Sequence, residues 1–238
     1  MLPRRGVAYH AVMPDAAHAD LSRLHVVVPI RALGGGKRRL SPVLDENERE
    51  ALVIGLLRRT LAVLAACRGV AAVHVVSPDP AVAAIARAGG AHPLSQATSG
   101  LNEGIAAARA AAQALGATAL LVIPGDLPLL EAEVLEALTD AADAAIAAGS
   151  GHAVVVIAPA DARTGTNALL LSPPDAIEPG FGPGSLERHL REAEAAGAST
   201  QLVVDPALGF DLDTPADLAL LEPARLAELM ALGTAATA

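Results

Sequence analysis

Short runs of aliphatic and β-branched residues alternate with longer segments of helical periodicity along most of the chain. This alternation limits the possible folds more than any other feature. "LHVVVPI" (24–30) reads as a strand, residues 45–67 carry Leu52, Ile54, Leu56, Leu57, Leu61 and Leu64 at helical spacing, and "VAAVHVVS" (70–77) reads as a second strand. The pattern continues with a short helix in "PAVAAIARAGG" closed by Gly89 and Gly90, a strand in "AHPLS", a helix in "NEGIAAARAAAQALG" and a strand in "ALLVIPGD" ending at Asp126. A helix over 131–148, strands in "HAVVVIAP" and "TNALLLSP", a helix in "GPGSLERHLREAEAAG" and a last strand in "TQLVVD" follow, with C-terminal helices beyond "LGFDLDTPADLALL". Continuous apolar strands separated by helices predict an α/β fold. Its central sheet should be mostly parallel, with helices on both faces and ligands collected at the carboxyl ends of the strands.

A chain of 238 residues can bury one sizeable core, and nothing in it forces a second domain. The expected organisation is a flexible N-terminal extension over 1–21, a single domain over 22–230 and a flexible tail over 231–238. Aromatic residues make up only 1% of the chain, so the core must be built from Val, Leu, Ile and Ala. The alanine-rich window 105–116 is broken by Arg109 and Gln113, and no apolar run reaches the roughly 20 residues of a spanning helix. The first 20 residues lack the apolar stretch of a signal peptide. Cys67 stands alone, which excludes an internal disulfide and points to the reducing cytoplasm. A net charge of -9 without interleaved basic and aromatic residues disfavours nucleic acid as a partner, but a small anion held by a local basic loop is compatible with it.

Such a loop follows the first strand. In "VVVPIRALGGGKRRLSP" (26–42), three glycines lead into Lys37, Arg38 and Arg39. Glycine-rich backbone exposes N–H groups, and a following lysine suits a phosphate chain; a solvated surface turn is the alternative. The stretch matches neither the Walker A pattern nor the GxGxxG fingerprint. Asp126 ends an apolar strand, where a hard cation or an N-cap role would explain a carboxylate. In "GFDLDTPADL", Asp211 and Asp213 are two apart in an extended segment and so share a face, a like-charge arrangement that a cation would relieve; Asp213 has capping of the next helix as its alternative. Three such aspartates beside a cationic glycine loop suit metal-assisted phosphoryl or nucleotidyl transfer. "RTGTN" precedes a strand, and Gly182, Gly184 and Ser185 precede a helix whose N-terminus suits a carboxylate or phosphate, with Ser185 equally readable as its N-cap. His189 reads as a helix-surface residue, and His25, His74, His92 and His152 lack zinc spacing.

Taken in order, "VVPIRALGGGKRRLSP", "GLNEGI", "IPGDLPLL", "RTGTNALLL", "FGPGS" and "FDLDTPADL" resemble the FbiD/CofC family of nucleotidyltransferases of coenzyme F-420 biosynthesis, over roughly residues 24–222. The resemblance implies a Rossmann-like nucleotidyltransferase fold and transfer of GMP from GTP to phosphoenolpyruvate, with release of diphosphate. Acceptors such as 2-phospholactate or 3-phosphoglycerate, and a non-catalytic nucleotide-binding domain, are the competing readings. Carried onto this chain, the resemblance implies Asp126, Asp211 and Asp213 as ligands of Mg²⁺, two ions in all. Arg31, Gly34, Gly35, Gly36 and Lys37 would bind the triphosphate, Lys37 and Asp126 acting in catalysis. Asn102 would touch the base or sugar, and Thr166, Gly182 and Ser185 would hold the carboxylate end of the phospho-acid. A homodimer formed through an exposed strand edge and a downstream deazaflavin-modifying transferase complete the expected partners, with no membrane among them.

Overall fold

The computed structural model describes residues 19–96, 100–149, 153–160 and 164–235. Among these residues seven strands form one sheet: β1 (Leu24–Pro29), β2 (Val70–Ser77), β3 (His92–Ser95), β4 (Ala119–Val122), β5 (Val154–Pro159), β6 (Thr166–Ser172) and β7 (Ser199–Leu202). They lie in the order β3-β2-β1-β4-β6-β5-β7. Every pairing is parallel except those of β6, which runs antiparallel to both β4 and β5. A short connection from β5 to β6 makes that reversal possible, since parallel neighbours need a long crossover.

The helices are α1 (Glu46–Ala66), α2 (Pro80–Ala88), α3 (Leu101–Ala114), α4 (Ala132–Ala147), α5 (Ser185–Ala195), the four-residue α6 (Pro206–Gly209), α7 (Pro215–Leu220) and α8 (Pro223–Thr234). Local chemistry sets several of their starts. Asp45 and Glu48 close a capping box at α1, Asp79 caps α2 ahead of Pro80, and Thr214 with Asp217 closes a second box at α7. The central strands β1, β4, β5 and β6 are apolar on both sides, and their alternation sorts side chains between two layers. Val26, Val28, Leu121, Val154, Val156 and Leu170 pack with α1, α2 and α4. On the other face Val27, Leu120 and Val122 pack on α3, while Val155, Ile157, Leu169 and Leu171 pack on α5. The result is the expected three-layer arrangement, here with one antiparallel strand inside the sheet.

The C-terminal segment closes one end of the molecule. Leu212, Leu221 and Leu229 join Leu40, Leu52 and Leu56 in a separate buried cluster against α1. Helix α8 continues to Thr234, so residues 231–234 are helical where the sequence suggests a loose tail. At the other terminus, Asp20 N–H donates to Ser172 Oγ at 2.7 Å, which anchors the last residues of the expected extension; residues 1–18 lie outside the described residues, as do His152 and Arg163. No helix among the described residues is long and apolar enough to cross a membrane.

Candidate active site

The ends of β1 and β4 build the centre of the site. Pro124 has no N–H to continue the ladder, so pairing stops after Ile123 N–H donates to Val27 O, and Asp126 follows in a turn rather than on the strand itself. Asp126 caps no helix: the N-cap of α4 is Glu131. Leu212 N–H donates to Asp126 O at 3.3 Å, which lays the "FDLD" segment alongside this turn. Leu212 is fully buried in the C-terminal cluster, so the two-residue period turns Asp211 and Asp213 together to the opposite side. Asp213 is not a helix cap either, because Thr214 fills that position.

Lys37 reaches into this group of carboxylates from the glycine-rich loop. Its Nζ lies 2.7 Å from Asp126 Oδ2 and 2.8 Å from Asp213 Oδ1, with only 8% of the side chain exposed. Burial by itself would lower the pKa of Lys37, but Asp126 and then Asp213 outweigh it and hold the ammonium above its ordinary range. Asp211 lies beside the same carboxylates. Its pKa is raised, first by burial and then by the charges of Asp126 and Asp213, against a hydrogen bond with Asn167. Among the described residues no three His, Cys, Asp or Glu side chains are already arranged as a cation cage. Two carboxylates do converge on one cation, the lysine ammonium.

The loop that delivers Lys37 has unusual backbone. Gly35 takes φ 103° and Lys37 itself is left-handed at φ 50°, leading into a single 3₁₀ turn over Arg38–Leu40. A left-handed lysine is strained, and the two ion pairs of its buried ammonium compensate. Asp79 fixes the loop from α2, its Oδ2 accepting from Leu33 N–H at 2.9 Å. Arg31, Gly34, Gly35, Arg38 and Arg39 stay exposed around the mouth.

A second group of residues forms beside α5. Thr166 N–H donates to the Ser185 hydroxyl at 2.8 Å, and Thr166 Oγ1 lies 2.9 Å from His189 Nδ1. Ser185 is the first residue of α5, whose N-cap is the left-handed Gly184, so it does not cap the helix. His189 is fully buried, which corrects the surface position expected for it. Its Nε2 accepts from Gly180 N–H at 2.9 Å, and the neighbouring Arg188 donates to Gly180 O. Burial, with a smaller effect from Arg188, lowers the His189 pKa to about 4.

Asn102 connects α3 to the same loop. Its amide donates to Phe181 O at 3.1 Å and accepts from Phe181 N–H at 2.8 Å, which ties α3 to the backbone of this loop. Ser185 N–H donates to Gly182 O at 3.1 Å, which with the Thr166 bond to Ser185 brings Gly182, Thr166 and Ser185 together, and the Lys37–Asp126–Asp213 group forms a second centre. Asn167 links the two centres: its Nδ2 donates to Leu208 O at 2.9 Å and Gly209 O at 3.1 Å, holding the approach to Asp211 against β6. Periodicity gives no sign of the roles of Asn167, Asp79 and His189, which depend on partners distant in sequence. A groove of about 420 Å³ between α1, α4 and α8, lined by Arg59, Glu131 and Glu228 among others, contains none of these residues.

Known proteins extend the picture. Residues 24–222 match the family described as "Guanylyl transferase CofC like". A Rubrobacter xylanophilus protein named phosphoenolpyruvate guanylyltransferase is 46% identical over 196 residues, covering 82% of this chain and 92% of its own. A Sphaerobacter thermophilus protein of the same name is 42% identical, covering 81% of this chain and 89% of its own. Among solved structures, a nucleotidyl transferase from Methanothermobacter thermautotroptrophicus superposes with a TM-score of 0.58 at 14% identity, over 86% of this chain and 98% of its own. A Desulfovibrio desulfuricans G20 protein, provisionally named a nucleotide-diphospho-sugar transferase, superposes with a TM-score of 0.68 at 19% identity, over 89% and 97%. These structural likenesses establish the nucleotidyltransferase fold.

Proposed function

The chain belongs to the CofC-like guanylyl transferase family, and on that premise we propose that it transfers GMP from GTP to phosphoenolpyruvate. A phosphate oxygen of phosphoenolpyruvate attacks the α-phosphorus of GTP, the bond from that phosphorus to the β-phosphate oxygen breaks, and diphosphate leaves. The product, enolpyruvoyl-2-diphospho-5'-guanosine, carries an activated diphosphate link for a later transferase acting on a deazaflavin in coenzyme F-420 biosynthesis. The nucleophile is already anionic, so the reaction needs no general base and depends on alignment and charge neutralisation.

The observation that carries this reading is the convergence of Asp126 and Asp213 on one cation beside an open glycine loop. The fit to Mg²⁺ is supported by the lysine ammonium that now bridges the two carboxylates, and a pair of carboxylates completed by phosphate oxygens and water suits that ion. Asp126 and Asp213, with Asp211 beside them, would hold Mg²⁺, which when bound supplies Lewis-acid stabilisation of phosphate charge. The Gly34–Gly36 loop, in which Gly36 N–H is taken by Leu33 O at 3.1 Å, wraps the triphosphate through its remaining backbone, with Arg31 at the rim. Lys37 neutralises charge on the departing diphosphate. Thr166, Gly182 and Ser185 receive the carboxylate of the acceptor.

The test is to supply purified protein with Mg²⁺ and GTP or ATP, and separately with phosphoenolpyruvate, 2-phospholactate and 3-phosphoglycerate, while following diphosphate release and product mass. A GMP adduct of phosphoenolpyruvate is expected. A GMP adduct of another acid would replace the acceptor, and GTP binding without any diphosphate release would replace the enzyme with a nucleotide-binding domain.

A further inference from the structure

The buried imidazole of His189 has a protonation pattern that its surroundings dictate. A backbone N–H can only donate, so Nε2, which receives Gly180 N–H at 2.9 Å, carries no proton. A neutral imidazole with a bare Nε2 carries its proton on Nδ1, and Nδ1 lies 2.9 Å from Thr166 Oγ1. Thr166 therefore accepts from His189. Its own hydroxyl proton is left to donate elsewhere. Ser185 is in the same position, because its Oγ already accepts from Thr166 N–H at 2.8 Å.

Two adjacent hydroxyl groups are thus each supplied with a donor from the protein side, and each keeps a proton for an acceptor. That pairing suits an anionic oxygen and suits a cation or an apolar group poorly. The same imidazole holds Gly180, at the head of the Gly180–Gly184 loop, while Phe181 packs edge-on against its ring at 5.2 Å between centroids.

We propose that His189 is a positioning residue for the acceptor: through its Nδ1 proton it orients the Thr166 hydroxyl as a donor to the acceptor carboxylate, and through Nε2 it fixes the loop that lies over it. This rests on the assignment of Thr166 and Ser185 to the acceptor made above. Its burial, which keeps the imidazole neutral near pH 7, agrees with that role.

The experiment compares three substitutions in steady-state kinetics with GTP and phosphoenolpyruvate varied separately, alongside thermal unfolding. His189→Leu removes both contacts. His189→Asn places an amide donor near the Nδ1 position only, and His189→Gln places an amide near the Nε2 position only. The expected result is a rise of about tenfold in the KM for phosphoenolpyruvate in His189→Leu, the equivalent of one lost hydrogen bond of about 1.4 kcal/mol, with the KM for GTP within about twofold. His189→Asn should recover most of that loss, and His189→Gln less. Equal rises in both KM values, or no rise in either, would overturn the proposal. So would equal recovery by Asn and Gln, and should His189→Leu fail to fold, the Asn and Gln variants decide alone. Wild-type protein that turns over a different phospho-acid overturns the choice of acceptor only, and the same comparison is then made on that acid. Wild-type protein that uses none of them overturns both.

Discussion

Lys37 Nζ lies 2.7 Å from Asp126 Oδ2, across 89 residues of sequence, and the same ammonium reaches Asp213. The two carboxylates share one cation, so removing either leaves Lys37 paired with the other. Asp126→Asn should lower turnover at least ~10²-fold while leaving the unfolding midpoint within a few degrees, because the Asp126 side chain is part-exposed and caps nothing. Diphosphate release and calorimetry on one preparation check this; wild-type turnover would remove Asp126 from the mechanism.

Lys37→Met addresses the other partner. Without the ammonium, Asp126 and Asp213 repel each other, and a divalent cation added without nucleotide no longer competes with it. Mn²⁺ titration followed by electron paramagnetic resonance should show binding several-fold tighter than in the parent chain, with turnover lower by ~10²-fold. Unchanged Mn²⁺ affinity would show that the lysine does not guard the carboxylates.

Asn102 spends both ends of its amide on Phe181. Asn102→Ala should therefore weaken the acceptor loop, raising the KM for phosphoenolpyruvate by about tenfold, roughly one to two hydrogen bonds, with a smaller change for GTP. A change confined to GTP would instead favour the nucleotide contact that the "GLNEGI" motif implies.

Acid stability follows from two buried imidazoles. Burial lowers His74 to about 4, helped by His25 and His92, and His189 also lies at about 4. Both values are below the ordinary 6.5, so the unfolded chain binds more protons in this range. Their contribution to stability is complete above about pH 6.5 and is lost as pH falls towards 4, with a limiting slope of about 1.4 kcal/mol per pH unit for each. Urea unfolding at pH 7 and pH 5 should show the loss. His74→Phe should flatten the dependence, and an unaltered slope would exclude His74 as a source.

Two glycines let α1 and α8 cross closely. A Cβ at Gly55 would stand 1.9 Å from Leu229 O, and one at Gly233 would stand 1.9 Å from Ala51 O. Gly55→Ala should cost about 1–3 kcal/mol and lower the unfolding midpoint by several degrees, with KM values unchanged in the protein that remains folded. A midpoint equal to that of the parent chain would mean that the helices can separate at little cost.

Much of this was legible in the chain itself. Alternating apolar strands and periodic helices specify a layered α/β fold because local spacing decides which side chains can share a face, and the Asp211–Leu212–Asp213 period put both carboxylates on one side before any contact was known. Spacing could not reveal that β6 runs antiparallel, since the direction of a strand depends on the crossover length and the neighbour it finds. It also left open whether Asp126, Asp213 and Ser185 were helix caps. Tertiary structure decided those questions by supplying other caps in Glu131, Thr214 and Gly184. His189 shows the division most plainly. Its place on a helix follows from sequence, but its burial between Thr166 and Gly180 depends on contacts 23 and 9 residues away that only chain packing can make.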